Sequence, residues 1–272
     1  MANSITSLDI VSMGVGDILS LPASALRALD NADTILGAEH HFASLKGNLC
    51  SGTKVQYASP FSQVKDQLLS LDGKVVILAS GDSLFFGIGQ WINTHFSDCK
   101  PTFHANVSSI QAACHLISKP WQTLNILTAH GRPLTNIRCA LQNNRLYGLL
   151  TDKSSQPKEV ALILQQAGFS ESKLWICEAI GTPQQRVTQC TVREILDDEQ
   201  STESSNNILP TEFHPLHVTI FETSGEGNVL PEFPGIADSS FSTDGEKKGS
   251  GLLTKTACPI NIRIIYHTTE DE

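Results

Sequence analysis

The stretch SGDSLFFGIG, residues 80–89, follows the apolar run at residues 75–79 and precedes a segment with the apolar periodicity of a helix. An apolar run of this length predicts a buried strand, and a Ser-Gly-Asp corner predicts the turn into the helix. Such a corner leaves backbone N–H and C=O groups free at the carboxyl end of the strand. Open α/β sheets bind ligands at that end, so the stretch predicts an α/β fold with a candidate binding corner.

The same corner has a second interpretation that needs no ligand. Ser80, Asp82 or Ser83 can cap the helix that follows, while Gly81 supplies the turn. The two adjacent phenylalanines would then fill the core, and short motifs of this kind also match by chance. The corner alone therefore leaves a helix cap and a ligand site as alternatives.

Strand and helix patterns alternate along most of the chain. Strands are predicted at residues 10–13, 34–36, 54–57, 74–79, 102–104, 123–128, 146–150, 173–180, 186–190 and 216–221. Helices are predicted between them, including 60–71, 86–96, 133–142 and 157–167. This alternation predicts two α/β domains, residues 1–118 and 119–222, of which the first has a largely parallel sheet. Residues 223–272 are mostly Gly, Ser, Pro and charged, which predicts a poorly ordered tail.

Composition excludes several classes of partner. The 272-residue chain has 19 lysines and arginines against 28 acidic residues, a formal net charge of −9. Phosphate contacts need clustered cations, so we expect no nucleic-acid partner. The seven cysteines form no C-x-x-C pair, which favours reduced thiols and a cytoplasmic protein. We expect no membrane span, because no apolar run is long enough to cross a bilayer.

Further corners follow other predicted strands. The turn Gly14-Val15-Gly16-Asp17 lacks the third glycine of the dinucleotide-binding fingerprint, so it gives little support to a nicotinamide-binding domain. Ser108 and Ser109 precede a predicted helix and have a helix cap as their ordinary alternative. Together with residues 80–83, these corners predict a small-molecule site in a cleft between the two domains.

The second domain contributes two corners, residues 129–133 and 151–153. Thr151, Asp152 and Lys153 have an ordinary turn as their alternative. His130 and Arg132 flank a glycine, where Arg132 can bind a carboxylate and His130 can move a proton. A surface corner with exposed polar side chains is the alternative for this pair.

His40 and His41 follow the second predicted strand. Neighbouring side chains on a helix point apart, and no matching distant ligand is evident, so we predict no metal site.

These residues together resemble the tetrapyrrole (precorrin) methylase family, and most closely its precorrin-6Y/precorrin-7 C5-methyltransferase branch. The resemblance covers residues 10–221 and is carried by four motifs: Gly14-x-Gly16-Asp17, residues 37–41 (GAEHH), residues 80–89 and residues 129–134 (AHGRPL). It implies two α/β domains with S-adenosylmethionine between them. It also implies C5 methylation of precorrin-7, or of cobalt-precorrin-7, in cobalamin biosynthesis.

The resemblance also implies roles for individual residues. Cofactor contacts are expected at Ser80, Gly81, Asp82, Phe85, Ser108, Ser109, His130 and Lys153. Substrate contacts are expected at Gly14, Gly16, Asp17, His41 and Arg132, with Arg138 and Lys153 as weaker cationic candidates. His130 and Arg132 are the candidate catalytic pair. The expected partners are a polycarboxylated tetrapyrrole and a second copy of the chain.

The chain departs from the family pattern at two positions. Ser83 stands where the family usually has proline, and Lys153 where glycine is common. Residues 230–238 and 251–255 resemble the linker to a C15-methylating, decarboxylating domain, and the similarity stops near Thr256. We therefore expect no C15 chemistry in this chain and allow a separate C15-methylating partner.

Two alternative hypotheses remain open from the sequence. One is methylation of another tetrapyrrole carbon or of a different acceptor. The other is a non-catalytic module that binds cofactor or tetrapyrrole without transferring a methyl group.

Overall fold

The structure is a computed structural model that describes residues 4–15, 20–45, 50–129, 131–152, 155–197, 209–210, 212–225 and 227, with the backbone alone at 252–256 and 263–267. Two compact units divide the chain. The first unit comprises residues 1–121 and 179–186, and the second comprises residues 122–178 and 187–272.

The first unit is built on a five-stranded sheet in the order β3-β2-β4-β1-β5. Its strands are β1 (Ile5–Ser12), β2 (Thr34–Gly37), β3 (Thr53–Gln56), β4 (Gly73–Ala79) and β5 (Thr102–His104). All four neighbouring pairs are parallel, as the alternation of strands and helices predicts. The carboxyl ends of all five strands therefore lie at one edge of the sheet.

Five helices accompany this sheet: α1 (Ala23–Asp30), α2 (Glu39–Ser44), α3 (Val64–Leu69), α4 (Gly89–His95) and α5 (Ser109–Leu116). Helix α1 buries Ala25 and Leu29, four residues apart, against the core. The apolar run of β4 is buried from Val75 to Ala79, because helices cover parallel sheets on both faces. Two core clusters result, one containing Val11 and one containing Ile10, which project to opposite faces of β1.

Three predicted starts in this unit are wrong. Helix α3 begins at Val64 rather than at residue 60, because Phe61–Gln63 form a 3₁₀ turn. Strand β1 begins at Ile5 rather than at residue 10, because its first half is only partly buried and has no continuous apolar run. Helix α4 begins at Gly89 rather than at residue 86, and residues 80–88 form an extended corner instead. The corner is consequently longer than a turn between a strand and a helix.

The second unit has a five-stranded sheet in the order β6-β7-β10-β8-β9. Its strands are β6 (Asn125–Thr128), β7 (Leu146–Leu150), β8 (Lys173–Glu178), β9 (Arg186–Thr191) and β10 (His217–Glu222). Strands β6 and β7 are parallel, whereas β10 is antiparallel to both β7 and β8. This sheet is therefore mixed.

Two helices, α6 (Pro157–Gln166) and α7 (Val192–Leu196), belong to the second unit. The predicted helix at 133–142 is a 3₁₀ helix, Leu134–Ala140. The core contains Phe169 and the stacked rings of Tyr147 and Phe221, which are almost fully buried. None of the helices in the described part of the chain has both the length and the apolar character needed to cross a bilayer.

Most of the predicted tail, residues 223–272, lies outside the described residues. Within it, β11 (Leu252–Thr256) and β12 (Arg263–His267) form an antiparallel pair. The predicted disorder of the tail stays a prediction.

Candidate functional site

The carboxyl edge of the first sheet brings two predicted site residues into direct contact. Strand β1 lies between β4 and β5, so the loops that follow these three strands emerge side by side. The N–H of Gly14 donates to the carbonyl of Gly81 at 3.0 Å, and the N–H of Gly81 donates to the carbonyl of Gly14 at 3.2 Å. The loop after β1 and the corner after β4 are thereby joined as a short antiparallel bridge.

Both glycines are favoured by their backbone conformation. Gly14 has φ +67° and Gly81 has φ +61°, in the left-handed region that side chains disfavour. A Cβ atom at Gly14 would lie 2.7 Å from the Asn106 side chain. A Cβ atom at Gly81 would lie 3.8 Å from the backbone nitrogen of Ser109, so the first turn of α5 approaches this corner closely.

Ser83 is held by a serine that the sequence did not single out. The N–H of Ser83 donates to Ser12 Oγ at 2.9 Å, and Ser12 Oγ donates to Ser83 Oγ at 3.0 Å. Ser12 is 0% exposed and Ser83 is 1% exposed. Proline at position 83 has no N–H and could not make the first of these bonds. Ser83 thus ties the corner to the end of β1.

The helix-cap hypothesis for residues 80–83 is wrong. Helix α4 begins at Gly89 after Ile88, and no side chain caps it. Asp82 instead forms a local turn, in which its Oδ1 accepts from the N–H of Leu84 at 2.9 Å. The helix-cap alternative for Ser108 is confirmed, because its Oγ accepts from the N–H of Gln111 and the Gln111 side chain returns to the Ser108 N–H.

Ser80 lies between two histidines at the end of β4. Its Oγ is 2.8 Å from His41 Nε2 and 3.3 Å from His40 Nε2. The N–H of Ala38 donates to His41 Nδ1 at 3.2 Å, so Nδ1 carries no proton and the neutral ring is protonated at Nε2. His41 therefore donates to Ser80.

The surroundings of His41 keep its ring neutral. Burial, helped by the neighbouring His40, lowers the pKa of His41 from 6.5 to about 4. His41 is 5% exposed, whereas His40 and Ser80 are exposed. The predicted substrate contact of His41 stays a prediction, and a neutral ring brings no positive charge to it.

Exposed apolar side chains lie along the same edge of the sheet. Leu84 is 56% exposed, Phe86 52% and Val107 43%. Phe85 is half-buried and packs edge-on against Phe86, with the ring centroids 5.1 Å apart. Phe86 has φ +54°, a strained conformation for an aromatic residue, and such strain concentrates at functional sites. This edge therefore offers an apolar surface beside the exposed side chain of Ser80.

The second unit brings together its two predicted corners. Strands β6 and β7 are parallel neighbours, so the described residues that follow them, Ala129, 131–132 and 151–152, emerge side by side. The N–H of Gly131 donates to Asp152 Oδ2 at 3.0 Å, and Ser155 Oγ donates to Asp152 Oδ1 at 3.1 Å. Asp152 consequently organises this corner from its side chain.

The predicted cations have different surroundings. Arg132 is exposed, and its backbone N–H donates to the carbonyl of Ala129 at 3.0 Å. Arg138 Nη2 donates to the carbonyl of Gln166 at 3.4 Å. Gly16, Asp17, His130 and Lys153 lie outside the described residues, and their predicted roles stay predictions.

A buried polar group that the sequence did not indicate lies beside the second corner. Glu178 is 1% exposed and accepts from the N–H of His214 at 2.7 Å. His217 is buried, which lowers its pKa, and its carbonyl accepts from Thr151 Oγ1 at 2.7 Å. Glu178 ends β8 and His217 begins β10, and the antiparallel register places these two residues opposite each other, so only the strand pairing brings them together.

Comparisons with known proteins place this geometry in context. The family model described as Tetrapyrrole (Corrin/Porphyrin) Methylases matches residues 7–196. The chain is 27% identical over 255 residues to a precorrin-6Y C(5,15)-methyltransferase [decarboxylating] from Sinorhizobium sp.. That alignment covers 92% of the chain and 58% of the relative, so the chain spans little more than half the relative's length.

Two further proteins are similar over shorter or more distant alignments. The cobalt-precorrin-7 C(5)-methyltransferase of Salmonella typhimurium is 28% identical over 182 residues, which cover 66% of the chain and 88% of the relative. A crystal structure of the uroporphyrin-III C-methyltransferase of Thermus thermophilus complexed with S-adenosyl homocysteine superposes with a TM-score of 0.58. The two chains are 17% identical, and the superposition covers 81% of this chain and 97% of the Thermus thermophilus chain, which shows a shared fold.

Proposed function

Because the chain belongs to the tetrapyrrole methylase family, we propose that it transfers a methyl group from S-adenosylmethionine to C5 of precorrin-7 or cobalt-precorrin-7. The family match and the names of the relatives support a tetrapyrrole substrate in cobalamin synthesis. The observation that carries the proposal is the bridge between Gly14 and Gly81, which holds two strand-end loops at one edge of the sheet.

The residues at this edge fit the proposed cofactor. With glycine at position 81, the corner has no side chain next to the first turn of α5, which leaves room there for a ligand. Ser80 offers an exposed hydroxyl, and Phe85 and Phe86 offer aromatic surface for a purine ring. S-adenosylmethionine supplies an activated methyl group when bound. The chain then has to bind it, align it with the acceptor carbon and exclude water.

The acceptor is proposed to bind through hydrogen bonds and a few local cations. The chain has a net charge of −9, so its overall charge does not attract a polycarboxylated macrocycle. Individual cationic side chains at the site therefore have to bind the carboxylates. Arg132 is exposed at the second-unit corner, and we propose that it binds a substrate carboxylate. His130 is proposed to remove the proton from the methylated carbon.

The proposal is tested by a methyl-transfer assay with isotopically labelled S-adenosylmethionine and each macrocycle, with and without cobalt. Mass spectrometry counts the methyl groups transferred, and NMR of the product identifies the carbon. We expect one labelled methyl group at C5. A label at another ring carbon would contradict the C5 assignment, and binding of both ligands without transfer would support the non-catalytic alternative.

A further inference from the structure

We propose that His41 is a positioning residue that presents the Ser80 hydroxyl as a hydrogen-bond donor to a ligand carboxylate, an inference that rests on the proposed function. The carboxylate has two possible sources: the amino-acid end of the cofactor, or an acidic side chain of the macrocycle. Both sources share the same chemistry, and the experiment below separates them.

Both ring nitrogens of His41 are engaged. Nδ1 accepts from the N–H of Ala38 at 3.2 Å, and Nε2 lies 2.8 Å from Ser80 Oγ. The backbone donor fixes the tautomer, so Nε2 can only donate. The ring is buried at the start of α2 and is therefore held in one orientation.

The Ser80 hydroxyl has its own proton available for another acceptor. Because His41 donates to Ser80 Oγ, the Ser80 hydroxyl has to direct its own proton elsewhere. The other ring nitrogen within reach of Ser80 Oγ is His40 Nε2 at 3.3 Å, which is long for a hydrogen bond from a hydroxyl. His40 and Ser80 are both exposed, so an arriving ligand can replace this weak contact.

A carboxylate is the ligand group that suits the Ser80 hydroxyl best. A hydrogen bond from a hydroxyl to an ionised oxygen is shorter and stronger than one to a neutral ring nitrogen. Ser80 adjoins Gly81, where the backbone is free of side-chain obstruction, so a ligand that contacts Gly81 also reaches the hydroxyl. A ligand carboxylate therefore gains most from the orientation that His41 imposes.

Calorimetric titrations with S-adenosylhomocysteine and 5′-methylthioadenosine test the inference. The second ligand lacks the amino-acid end and its carboxylate. His41→Gln keeps a donor near the position of Nε2, whereas His41→Asn can replace only the acceptor for the Ala38 N–H. Ser80→Ala removes the hydroxyl, and His115→Gln, at an exposed position on α5, is the matched control.

If the carboxylate belongs to the cofactor, His41→Asn weakens S-adenosylhomocysteine binding about tenfold and leaves 5′-methylthioadenosine binding unchanged. His41→Gln restores most of the affinity, and His41→Asn has no further effect in the Ser80→Ala background. If the carboxylate belongs to the macrocycle, cofactor affinity stays the same, while KM for the tetrapyrrole rises about tenfold with little change in kcat.

Several results would overturn the inference. Equal losses in His41→Gln and His41→Asn, or additive losses in His41→Asn and Ser80→Ala, would show that His41 does not act through Ser80. NMR of the unaltered chain gives a test that needs no variant, because a His41 ring protonated at Nδ1 at pH 7 would also refute it. Absence of S-adenosylhomocysteine binding by the unaltered chain would contradict the proposed function itself, and with it the inference.

Discussion

Replacing Ser12 and Ser83, singly and together, tests how the binding corner is attached to the sheet. Ser12 and Ser83 form a buried pair. The Ser83 N–H donates to Ser12 Oγ at 2.9 Å, and Ser12 Oγ donates to Ser83 Oγ at 3.0 Å. Ser12→Ala leaves the Ser83 N–H buried without its acceptor, which costs about 1–3 kcal/mol of unfolding free energy. Ser83→Pro leaves the Ser12 hydroxyl without its two partners in this pair, at a similar cost.

The double variant Ser12→Ala/Ser83→Pro should be more stable than the sum of the single changes predicts. Neither buried group is then left unpaired, so we expect a coupling free energy of about 1–3 kcal/mol in favour of the double variant. Urea unfolding followed by circular dichroism measures all four proteins, and Ser83→Ala, which keeps the N–H bond, is the control. Additive losses would refute the reasoning, because they would mean that the two serines act independently.

Three further predictions concern the same corners. Gly81→Ala should lower the free energy of urea unfolding by about 1–2 kcal/mol, because alanine disfavours the φ of +61° at this position. Gly14→Ala should lower it more, because the added Cβ also meets the Asn106 side chain, and equal losses in the two variants would contradict this. The pKa of His41 is about 4 in the folded chain against 6.5 in the unfolded chain, so the unfolded chain binds a proton first as the pH falls. The free energy of unfolding therefore falls by about 3 kcal/mol from pH 6.5 to 4, and His41→Gln should remove that component of the pH dependence. Asp152→Ala should speed amide exchange at Gly131 about tenfold or more, and unchanged exchange would contradict that anchor.

The parts of the fold that the sequence predicts are those with a strong local signal. The buried run of β4 and the parallel first sheet are confirmed, because continuous apolar runs that alternate with amphipathic helices have few other solutions. The Ser108 cap is also local, since Ser108 and Gln111 are three residues apart. The resemblance to tetrapyrrole methylases, carried by residues 80–89 and 129–134, is confirmed by the family match.

The parts that the sequence does not predict depend on contacts between distant residues. Strand β10 runs antiparallel to its neighbours, and nothing in its own six residues specifies a direction. Ser12 lies in the predicted strand at residues 10–13, and no neighbouring residue indicates that its hydroxyl meets Ser83 across 71 positions. A pair of adjacent histidines also does not reveal which ring is buried, so the neutral state of His41 emerges only from the packing.

Calorimetric titration of S-adenosylhomocysteine into the unaltered chain and its Gly81→Leu variant tests the central claim most directly. We expect one molecule bound per chain, and we expect Gly81→Leu to abolish binding, because its side chain would occupy the space beside Ser109. Gly168→Leu is the control, because Gly168 also has a positive φ, +83°, but lies beyond α6. Binding that survives Gly81→Leu, or its absence from the unaltered chain, would contradict a cofactor site at this corner.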